Sequence, residues 1–375
     1  MKKLLFIFGT RPEAIKMAPL IKEFSRFPEY FDVKVCVTGQ HRQMLDQVLD
    51  FFGIIPDYDL DIMKKNQTLF SITSACLTGL ERVFKELQPD IVFIQGDTTT
   101  AFAGALAGFY SKVKVAHIEA GLRSHDHYSP FPEEVNRILA GHLATFHFPP
   151  TEQAKSNLSN EGITKNVEVV SNTVIDALFL GIDRIKSNSE KEFYNRFSFL
   201  DFSKRIILVT GHRRESFGPG FENICYALKD IALKYKDVQI VYPVHMNPHV
   251  VEPVQRIIGN IDGIFLIDPL EYPYLIWIMS KSYLIITDSG GIQEEAPSLG
   301  KPVLVIRECT ERMEGIAAGT AKLVGTSRER ILSETCLLLD NYVEYQRMAK
   351  SINPYGDGKA SERIVNYFIR EYSSL

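Results

Sequence analysis

Short apolar runs alternate with longer amphipathic stretches along almost the whole chain, and this alternation limits the possible folds. Several stretches have helical spacing, among them PEAIKMAPLIKEFSRF and GFENICYALKDIALKYK. The runs with the length of strands are LLFIFG, VKVCVTG, DIVFIQGD, VKVAHIEAG, IILVTG, VQIVYPV, LIITDSGG and KPVLVI. Several are apolar on both faces and rich in β-branched residues, as strands covered by helices on both sides require. The pattern predicts an α/β fold with doubly wound parallel sheets.

The same pattern starts twice. One apolar run leads into FGTRPEA and another, about two hundred residues later, into TGHRRES, and each turn carries a glycine, an arginine and a glutamate. A chain of 375 residues also exceeds the usual size of a single core. We therefore predict two Rossmann-like domains that face each other across a cleft, residues 1–170 and 171–358. The least patterned region is 183–204, and we expect the junction near residues 170–204. We also expect a C-terminal helix at about 359–375 that packs back on the first domain.

Composition excludes several classes of protein. The net charge of −4 gives no support for a nucleic-acid or membrane surface, and no apolar run approaches the length of a membrane span. The N-terminal apolar run stops at Gly9, which is too short for a signal peptide. The odd number and wide spacing of the cysteines predict reduced core thiols in a cytoplasmic protein rather than a disulfide framework or a zinc site. These cysteines are Cys36, Cys76, Cys225, Cys309 and Cys336.

Polar groups follow the strands, where ligands of such sheets bind. In GTRPEA, Thr10 and Glu13 have the spacing of a capping box, and Pro12 suits an early helical position. A helix start with Arg11 and Lys16 nearby suits an anion, because the amide groups and the helix dipole both attract negative charge. The alternative is a well-capped helix with two solvated cations.

A second candidate anion site lies in ITDSGGIQEE. Gly290 and Gly291 allow backbone amides to approach a phosphate, and the hydroxyl of Ser289 is a further donor. Carboxylates of Glu294 and Glu295, a few residues into the next helix, suit the hydroxyls of a ribose. The alternative is a tight turn followed by an acidic first helical turn.

Three carboxylates at strand ends or in loops of the first half are candidate acid–base groups. Asp97 follows one strand, and its alternative role is a helix cap. Glu119 ends an apolar strand, and its alternative is an ion pair with Arg123 or a nearby histidine. Glu133 begins a helix, and its alternative is a surface pair with Arg137.

The histidines point to phosphate binding rather than to metal. His212, in the second basic turn, is a candidate donor to a phosphate or a leaving oxygen, and His245 ends another strand. His125 and His127 flank an aspartate, but further ligands at metal-site spacing are missing from the sequence, so we predict no metal. Neither half has G-x-G-x-x-G after its first strand, which argues against a nicotinamide cofactor. The residues alone thus predict an enzyme of nucleotides or nucleotide sugars.

At these residues the chain resembles the non-hydrolysing UDP-N-acetylglucosamine 2-epimerases over nearly its whole length. The matching stretches are FGTRPEAIKMAPL, TGQHRQMLDQVL, QGDTTTA, HIEAGLRS, SPFPEEVNR, VTGHRRESFG, YPVHMNP, TDSGGIQEEAPSLGKPVLVIRE and TERMEG. The resemblance implies two Rossmann-like domains in the glycosyltransferase-B arrangement, a homodimer, and interconversion of UDP-GlcNAc and UDP-ManNAc without a cofactor. It implies that UDP leaves C1, that C2 then loses its proton to give 2-acetamidoglucal, and that UDP adds back.

The resemblance also implies roles for individual residues. Asp97, Glu119, Glu133 and His212 form the implied catalytic set. The residues implied to hold UDP or to stabilise its departure are Arg11, Lys16, His212, Arg213, Ser289, Gly290, Gly291, Glu295 and Arg312. The resemblance further suggests that a second UDP-GlcNAc acts as an allosteric activator at Gln40, Gln43, Arg213 and His245.

One position departs from the family pattern, and other activities remain as alternatives. The family usually has proline after the arginine of TER, whereas this chain has Met313, so a less rigid loop around Arg312 is expected. A hydrolysing 2-epimerase, a glycosyltransferase and a non-enzymatic sensor are the alternatives. The motifs GTRPEA and GHRRESFG match the non-hydrolysing branch better than the hydrolysing one. A glycosyltransferase would require an acceptor. A sensor would lack the acids of the first half, which this chain has.

Overall fold

The computed structural model describes residues 1–39, 42–64 and 67–373, apart from the side chains of Arg42, Gln43 and Ser373. Within it the chain divides into two compact units. The first consists of Met1–Leu180 and Gly356–Leu375, and the second of Gly181–Tyr355. Each unit contains a six-stranded parallel sheet with flanking helices.

The first sheet has the strand order β3-β2-β1-β4-β5-β6. Its strands are β1 (Lys2–Phe8), β2 (Phe31–Val37), β3 (Tyr58–Asp59), β4 (Ile91–Gln95), β5 (Lys114–Ile118) and β6 (Phe146–Phe148). The helices that start in this unit are α1 (Arg11–Phe24), α2 (Arg42–Phe52), α3 (Leu69–Leu87), α4 (Thr99–Tyr110), α5 (Glu133–Leu143), α6 (Glu152–Asn160) and α7 (Thr173–Asn188).

The second sheet has the strand order β12-β11-β10-β7-β8-β9. Its strands are β7 (Arg205–Thr210), β8 (Val238–Pro243), β9 (Ile264–Ile267), β10 (Leu284–Thr287), β11 (Val303–Val305) and β12 (Ala321–Leu323). The helices are α8 (Lys191–Arg196), α9 (Pro219–Lys234), α10 (Pro248–Ile258), α11 (Tyr272–Lys281), α12 (Gly290–Glu295), α13 (Met313–Ala317), α14 (Arg328–Asp340) and α15 (Tyr342–Ala349). Helix α16 (Ala360–Ser373) belongs to the first unit.

Both sheets have the same topology. Numbered within its own unit, each has the order 3-2-1-4-5-6, which is the Rossmann order. The chain reverses direction across the sheet between β1 and β4 in the first unit, and between β7 and β10 in the second. These reversals open a crevice outside the carboxyl ends of the strands, where ligands of such sheets bind. The predicted α/β class with two Rossmann-like doubly wound domains is confirmed.

Burial on both faces explains the apolar strand sequences. Residues 4–8 of β1 are completely buried, and the ring of Phe6 stacks on that of Phe93 in β4, with centroids 4.6 Å apart. Phe368 of α16 packs edge-on against Phe93 and Phe146, at 5.4 and 5.1 Å. The C-terminal helix therefore completes the core of the first unit.

The weakly patterned stretch 183–204 contains the end of α7 and the whole of α8. Its Phe197 stacks on Trp277 at 5.3 Å, so aromatic packing orders this stretch.

One sequence expectation needs correction. The prediction of core thiols holds for three cysteines and is wrong for Cys309, which is exposed, and Cys336, which is half-buried. In the part of the chain that the structure describes, no helix is long and apolar enough to cross a membrane.

Candidate functional site

The switch point of the first unit is held together by Glu13. The predicted capping box of Thr10 and Glu13 is confirmed, and Pro12 lies in the first turn of α1. The Glu13 carboxylate accepts hydrogen bonds from the amides of Gly9 and Thr10 at 3.0 and 2.8 Å and from the Thr98 hydroxyl at 2.6 Å. One buried side chain thus ties the end of β1 to the turn after β4. Burial raises the pKa of Glu13, and these hydrogen bonds oppose the increase.

Glu119 follows β5 and lies in a strained and heavily bonded position. Its φ angle is +62°, a region that residues other than glycine seldom occupy. The Lys16 ammonium lies 2.6 and 2.7 Å from its two carboxylate oxygens, and the Asn172 amide donates to Oε1 at 3.0 Å. The Gln95 amide, at the end of β4, donates to Oε2. The carboxylate is therefore fixed by one cation and two amides.

The alternative ion pair between Glu119 and Arg123 is wrong. Arg123 instead binds Glu161 through two hydrogen bonds of 2.6 and 2.7 Å. The cation beside Glu119 is Lys16, which the sequence analysis assigned to an anionic ligand. In the structure, Lys16 forms an ion pair with the Glu119 carboxylate of its own unit.

Asp97 follows β4 and is bound by helix α5. Its carboxylate accepts a hydrogen bond from Arg137, and its backbone oxygen accepts one from the Asn136 amide at 3.0 Å. Arg137 also lies 3.3 Å from Glu134. The alternative role of Asp97 as a helix cap is wrong, because the cap of α4 is Thr98. The alternative surface pair of Glu133 with Arg137 is wrong as well, because Arg137 binds Asp97 and Glu134.

The environment of Asp97 suits proton transfer. Burial raises the pKa of Asp97, the nearby Glu119 raises it further, and Arg137 and Lys16 oppose the increase. Groups whose pKa values are shifted by burial and by a neighbouring like charge are typical of acid–base sites. Glu133 is the first residue of α5, half-buried, in the turn of helix that also carries Arg137.

The switch point of the second unit is organised by Asp288, which follows β10. Its Oδ2 accepts the backbone N–H groups of His212 and Arg213 at 2.6 and 2.7 Å, so it holds the basic turn after β7. The Tyr242 hydroxyl supports the same turn by donating to the Gly211 oxygen at 2.8 Å. Sequence reasoning quoted Asp288 within its motif but gave it no role. An acid directly after a switch-point strand was the signal available.

His212 lies between an acid and a second histidine. Its ring stacks on that of His245, with centroids 5.1 Å apart and planes 10° from parallel. Its Nδ1 lies 3.5 Å from Oδ1 of Asp288. Partial burial lowers the pKa of His212, Asp288 opposes this, and His245 and Arg213 add to it. The two histidines and the basic turn are thus one electrostatic unit.

The predicted anion site at the start of α12 contains an arginine held in place by Glu294. Arg312 donates to Glu294 at 2.9 Å, and its guanidinium covers Gly290, where a Cβ atom would lie 3.2 Å from Cζ. Glu295 accepts a hydrogen bond from the Tyr272 hydroxyl at 2.9 Å. Glu294 therefore positions a cation, and Glu295 is held by Tyr272.

The loop that carries Arg312 is tied down despite the missing proline. Thr310 donates to Gln293 at 2.8 Å and accepts from the Arg312 amide at 3.1 Å. Met313 begins α13 with its side chain 57% exposed. Polar contacts from Thr310 therefore define the position of Arg312 in place of the proline ring.

Some sequence candidates are not brought into these sites. Gln40 lies outside the described residues, and so does the side chain of Gln43. His125 and His127 lie in an exposed loop. Among residues 1–39, 42–64 and 67–373, no three histidine, cysteine or acidic side chains are grouped so that they could hold a metal ion.

Comparison with known proteins identifies the family. The family model described as UDP-N-acetylglucosamine 2-epimerase matches residues 23–369. The UDP-N-acetylglucosamine 2-epimerase of Escherichia coli K12 is 55% identical over 366 residues, which is 97% of each chain. The chain belongs to the UDP-N-acetylglucosamine 2-epimerase family.

Solved structures agree with this assignment. The UDP-GlcNAc 2-epimerase of Neisseria meningitidis, bound to UDP-GlcNAc, is 48% identical with a TM-score of 0.89, over 98% of this chain and 100% of that one. The structure of S. aureus MnaA with UDP is 49% identical with a TM-score of 0.85, over 100% of this chain and 98% of that one. The likeness to both structures covers nearly the whole of each chain.

Proposed function

We propose that the protein is a non-hydrolysing UDP-N-acetylglucosamine 2-epimerase, which interconverts UDP-GlcNAc and UDP-ManNAc. The protein resembles 2-epimerases over nearly their full length. The name of the E. coli relative includes UDP-N-acetylglucosamine, and the N. meningitidis structure contains bound UDP-GlcNAc. The observation that carries the proposal is the Asp97–Glu119 pair. Two carboxylates at neighbouring strand ends, one with a raised pKa and one bound to Lys16, are suited to moving a proton at a carbon atom.

The chemistry explains why such a pair is needed. The hydrogen on C2 of the sugar is not next to a carbonyl group, so its direct removal is difficult. In the proposed reaction, the bond from C1 to oxygen breaks first and UDP leaves with the electron pair. The cationic C1 acidifies C2–H, and loss of that proton to a carboxylate gives 2-acetamidoglucal. Proton return to the other face of C2, with attack of a UDP oxygen on C1, completes the exchange.

More than one carboxylate near C2 allows protons to be moved on both faces of the ring. We assign Asp97, Glu119 and Glu133 to proton transfer at C2 without dividing the individual steps among them. His212 is assigned to the departing diphosphate, where a donor stabilises the charge that develops as the bond breaks. Lys16 and the two amide donors hold the Glu119 carboxylate in a fixed orientation for this work.

The second unit is proposed to bind UDP. Arg213, Ser289, Gly290 and Gly291 surround the switch point between β7 and β10, and Arg312 supplies a further cation beside Gly290. Glu295, fixed by Tyr272, is assigned to the ribose hydroxyls. Arg11, the first residue of α1, is assigned to the diphosphate as well. This chemistry requires neither a metal nor a nicotinamide.

One experiment separates the proposal from its alternatives. The protein is incubated with UDP-GlcNAc in D₂O and the sugar is followed by NMR. We expect deuterium at C2 and a mixture of the two UDP-sugars with little free UDP. Stoichiometric UDP and free ManNAc would instead identify a hydrolysing enzyme. Absence of reaction unless an acceptor is added would identify a transferase, and absence of turnover under any condition would identify a sensor.

We further propose a homodimer, activation by a second UDP-GlcNAc, and a role in supplying ManNAc units for surface polysaccharide from a cytoplasmic location. Support for the dimer comes from aromatic side chains exposed on α3 and α4: Phe70 is 88% exposed, Phe109 60% and Tyr110 70%. Sedimentation velocity tests the dimer, and a monomer at micromolar concentration would contradict it.

Support for activation is the stacking of His245 on His212. A dependence of the UDP-ManNAc reaction on added UDP-GlcNAc tests it.

A further inference from the structure

Asp288 is a buried carboxylate whose two oxygens have different surroundings. The residue is 1% exposed, and its Oδ2 accepts the amides of His212 and Arg213. In the described part of the chain, its Oδ1 accepts no hydrogen bond. A buried carboxylate oxygen without a donor is costly, and its persistence calls for a physical reason.

A side-chain donor close to this oxygen is the imidazole of His212. Its Nδ1 lies 3.5 Å from Oδ1, slightly beyond hydrogen-bond length, and a small rotation of the ring closes the gap. The ring of His245 lies nearly parallel to that of His212, with centroids 5.1 Å apart. The Oδ2 contacts already fix the backbone of His212 to the same carboxylate.

We infer that Asp288 is a positioning residue that keeps Nδ1 of His212 protonated, so that Nε2 is the nitrogen that exchanges a proton with the substrate. A carboxylate beside one ring nitrogen selects the tautomer and the ring orientation, and it stabilises the imidazolium when that forms. The role of Nε2 in the reaction rests on the proposed function. The contact between Asp288 and Nδ1 does not.

The other charged groups around His212 make this partner necessary. His245 and Arg213 both disfavour the imidazolium, and partial burial disfavours it more strongly than either. Asp288 is the group that acts in the opposite direction. Without its negative charge, the imidazole of His212 is expected to remain neutral to lower pH and to donate less readily to a departing diphosphate.

The test is the tautomer of His212, read by NMR of protein labelled with ¹⁵N-histidine. The chain has nine histidines, and the His212 signals are assigned by their loss in His212→Asn. In the wild-type protein we expect the proton on Nδ1. In Asp288→Asn the oxygen of the amide still accepts the two backbone N–H groups, and its NH₂ group faces Nδ1. We therefore expect the proton to move to Nε2 and the titration midpoint of His212 to fall.

A matched control is Asp176→Asn. Asp176 is also a buried carboxylate that accepts two backbone amides, from Ala360 and Ser361, at 3.2 and 2.7 Å. It lies in the first unit, so the tautomer and midpoint of His212 should not change. A wild-type protein with the proton on Nε2, or an Asp288→Asn variant with an unchanged tautomer and midpoint, would overturn the inference.

Kinetics connect the contact to the reaction. We expect kcat of Asp288→Asn to fall by roughly 10²-fold, the usual contribution of a positioned acid or base, and the alkaline limb of its pH profile, where the imidazolium donor is lost, to move to lower pH. If the wild-type protein does not epimerise UDP-GlcNAc but the tautomer changes as expected, the proposed function fails and the inference stands. If it epimerises and the tautomer does not change, the inference fails and the function stands.

Discussion

The ammonium nitrogen of Lys16 lies 2.6 Å from one carboxylate oxygen of Glu119 and 2.7 Å from the other, in a pair of which Lys16 is 16% and Glu119 7% exposed. This pair joins the first helix of the chain to the end of β5. Because both charges are withdrawn from water, each depends on the other. The pair therefore contributes to the stability of the first unit as well as to the orientation of a candidate catalytic acid.

Replacing Lys16 by Met should lower the free energy of unfolding by about 3 kcal/mol, because it leaves a buried carboxylate without its cation. Urea unfolding measures this. The control is Lys85→Met, which breaks the surface pair with Glu81 on α3 and should change stability little. Equal losses of unfolding free energy in the two variants would show that the Lys16–Glu119 pair stabilises the protein no more than a surface pair does.

Asp97→Asn should abolish proton exchange at C2, because the amide has nearly the same shape as the carboxylate but cannot accept the proton. We expect the rate of deuterium incorporation to fall by roughly 10²-fold or more. UDP affinity, measured by calorimetry, should stay close to that of the wild-type protein because the variant keeps the residues assigned to UDP. Unchanged exchange would remove Asp97 from the catalytic set.

His117 should make the fold sensitive to acid. The side chain is completely buried in β5, its Nε2 lies 2.8 Å from the oxygen of Gly96, and burial lowers its pKa to about 4. A depressed pKa means that the neutral form is favoured in the folded state. The stabilisation is present above the ordinary pKa of about 6.5 and is lost as the pH falls toward 4. The loss across this window is about 3 kcal/mol.

His117→Gln should reduce this acid dependence, since its amide can still donate to the Gly96 oxygen but takes up no proton. Urea unfolding at several values between pH 4.5 and about 7 measures the slope. The control is His127→Gln in an exposed loop, which should leave the slope as it is in the wild-type protein. An unchanged slope in His117→Gln would show that other groups control the acid transition.

Gly290→Ala should weaken UDP binding through Arg312. An added Cβ would lie 3.2 Å from both Cζ and Nε of Arg312, so the guanidinium must shift. We expect a roughly tenfold loss of UDP affinity by calorimetry, equivalent to about 1.4 kcal/mol. In the background of Arg312→Ala the same substitution should have little further effect. Additive losses in the double variant would mean that Gly290 acts independently of Arg312.

The hydrophobic periodicity of the sequence was sufficient to predict the fold. The motifs were sufficient to predict that the candidate residues lie at the ends of strands. The strands were recognisable because burial on both faces demands continuous apolar runs. The capping box of Thr10 and Glu13 was recognisable because it depends on residues three apart. The helix α8 was missed, because the aromatic contacts that order it come from Trp277, far away in the sequence.

Ion-pair partners were the least predictable feature. The alternative role considered for Glu119 was an ion pair with Arg123, four residues away, and the carboxylate is bound instead by Lys16 and Asn172. The alternative role considered for Glu133 was a surface pair with Arg137, and Arg137 binds Asp97 instead. Local spacing suggests the nearest opposite charge in the chain, whereas a parallel sheet brings together groups that are far apart in sequence.

The amino-acid sequence by itself determined that the chain forms two doubly wound sheets with polar turns at the carboxyl ends of their strands, since hydrophobic period and turn chemistry are local properties. The tertiary structure alone decided which partner each polar group has. Glu119 is paired with Lys16, Asp97 with Arg137, and the backbone of His212 with Asp288. A buried charge needs an opposite charge or a donor nearby, and the strand order decides which group lies close enough.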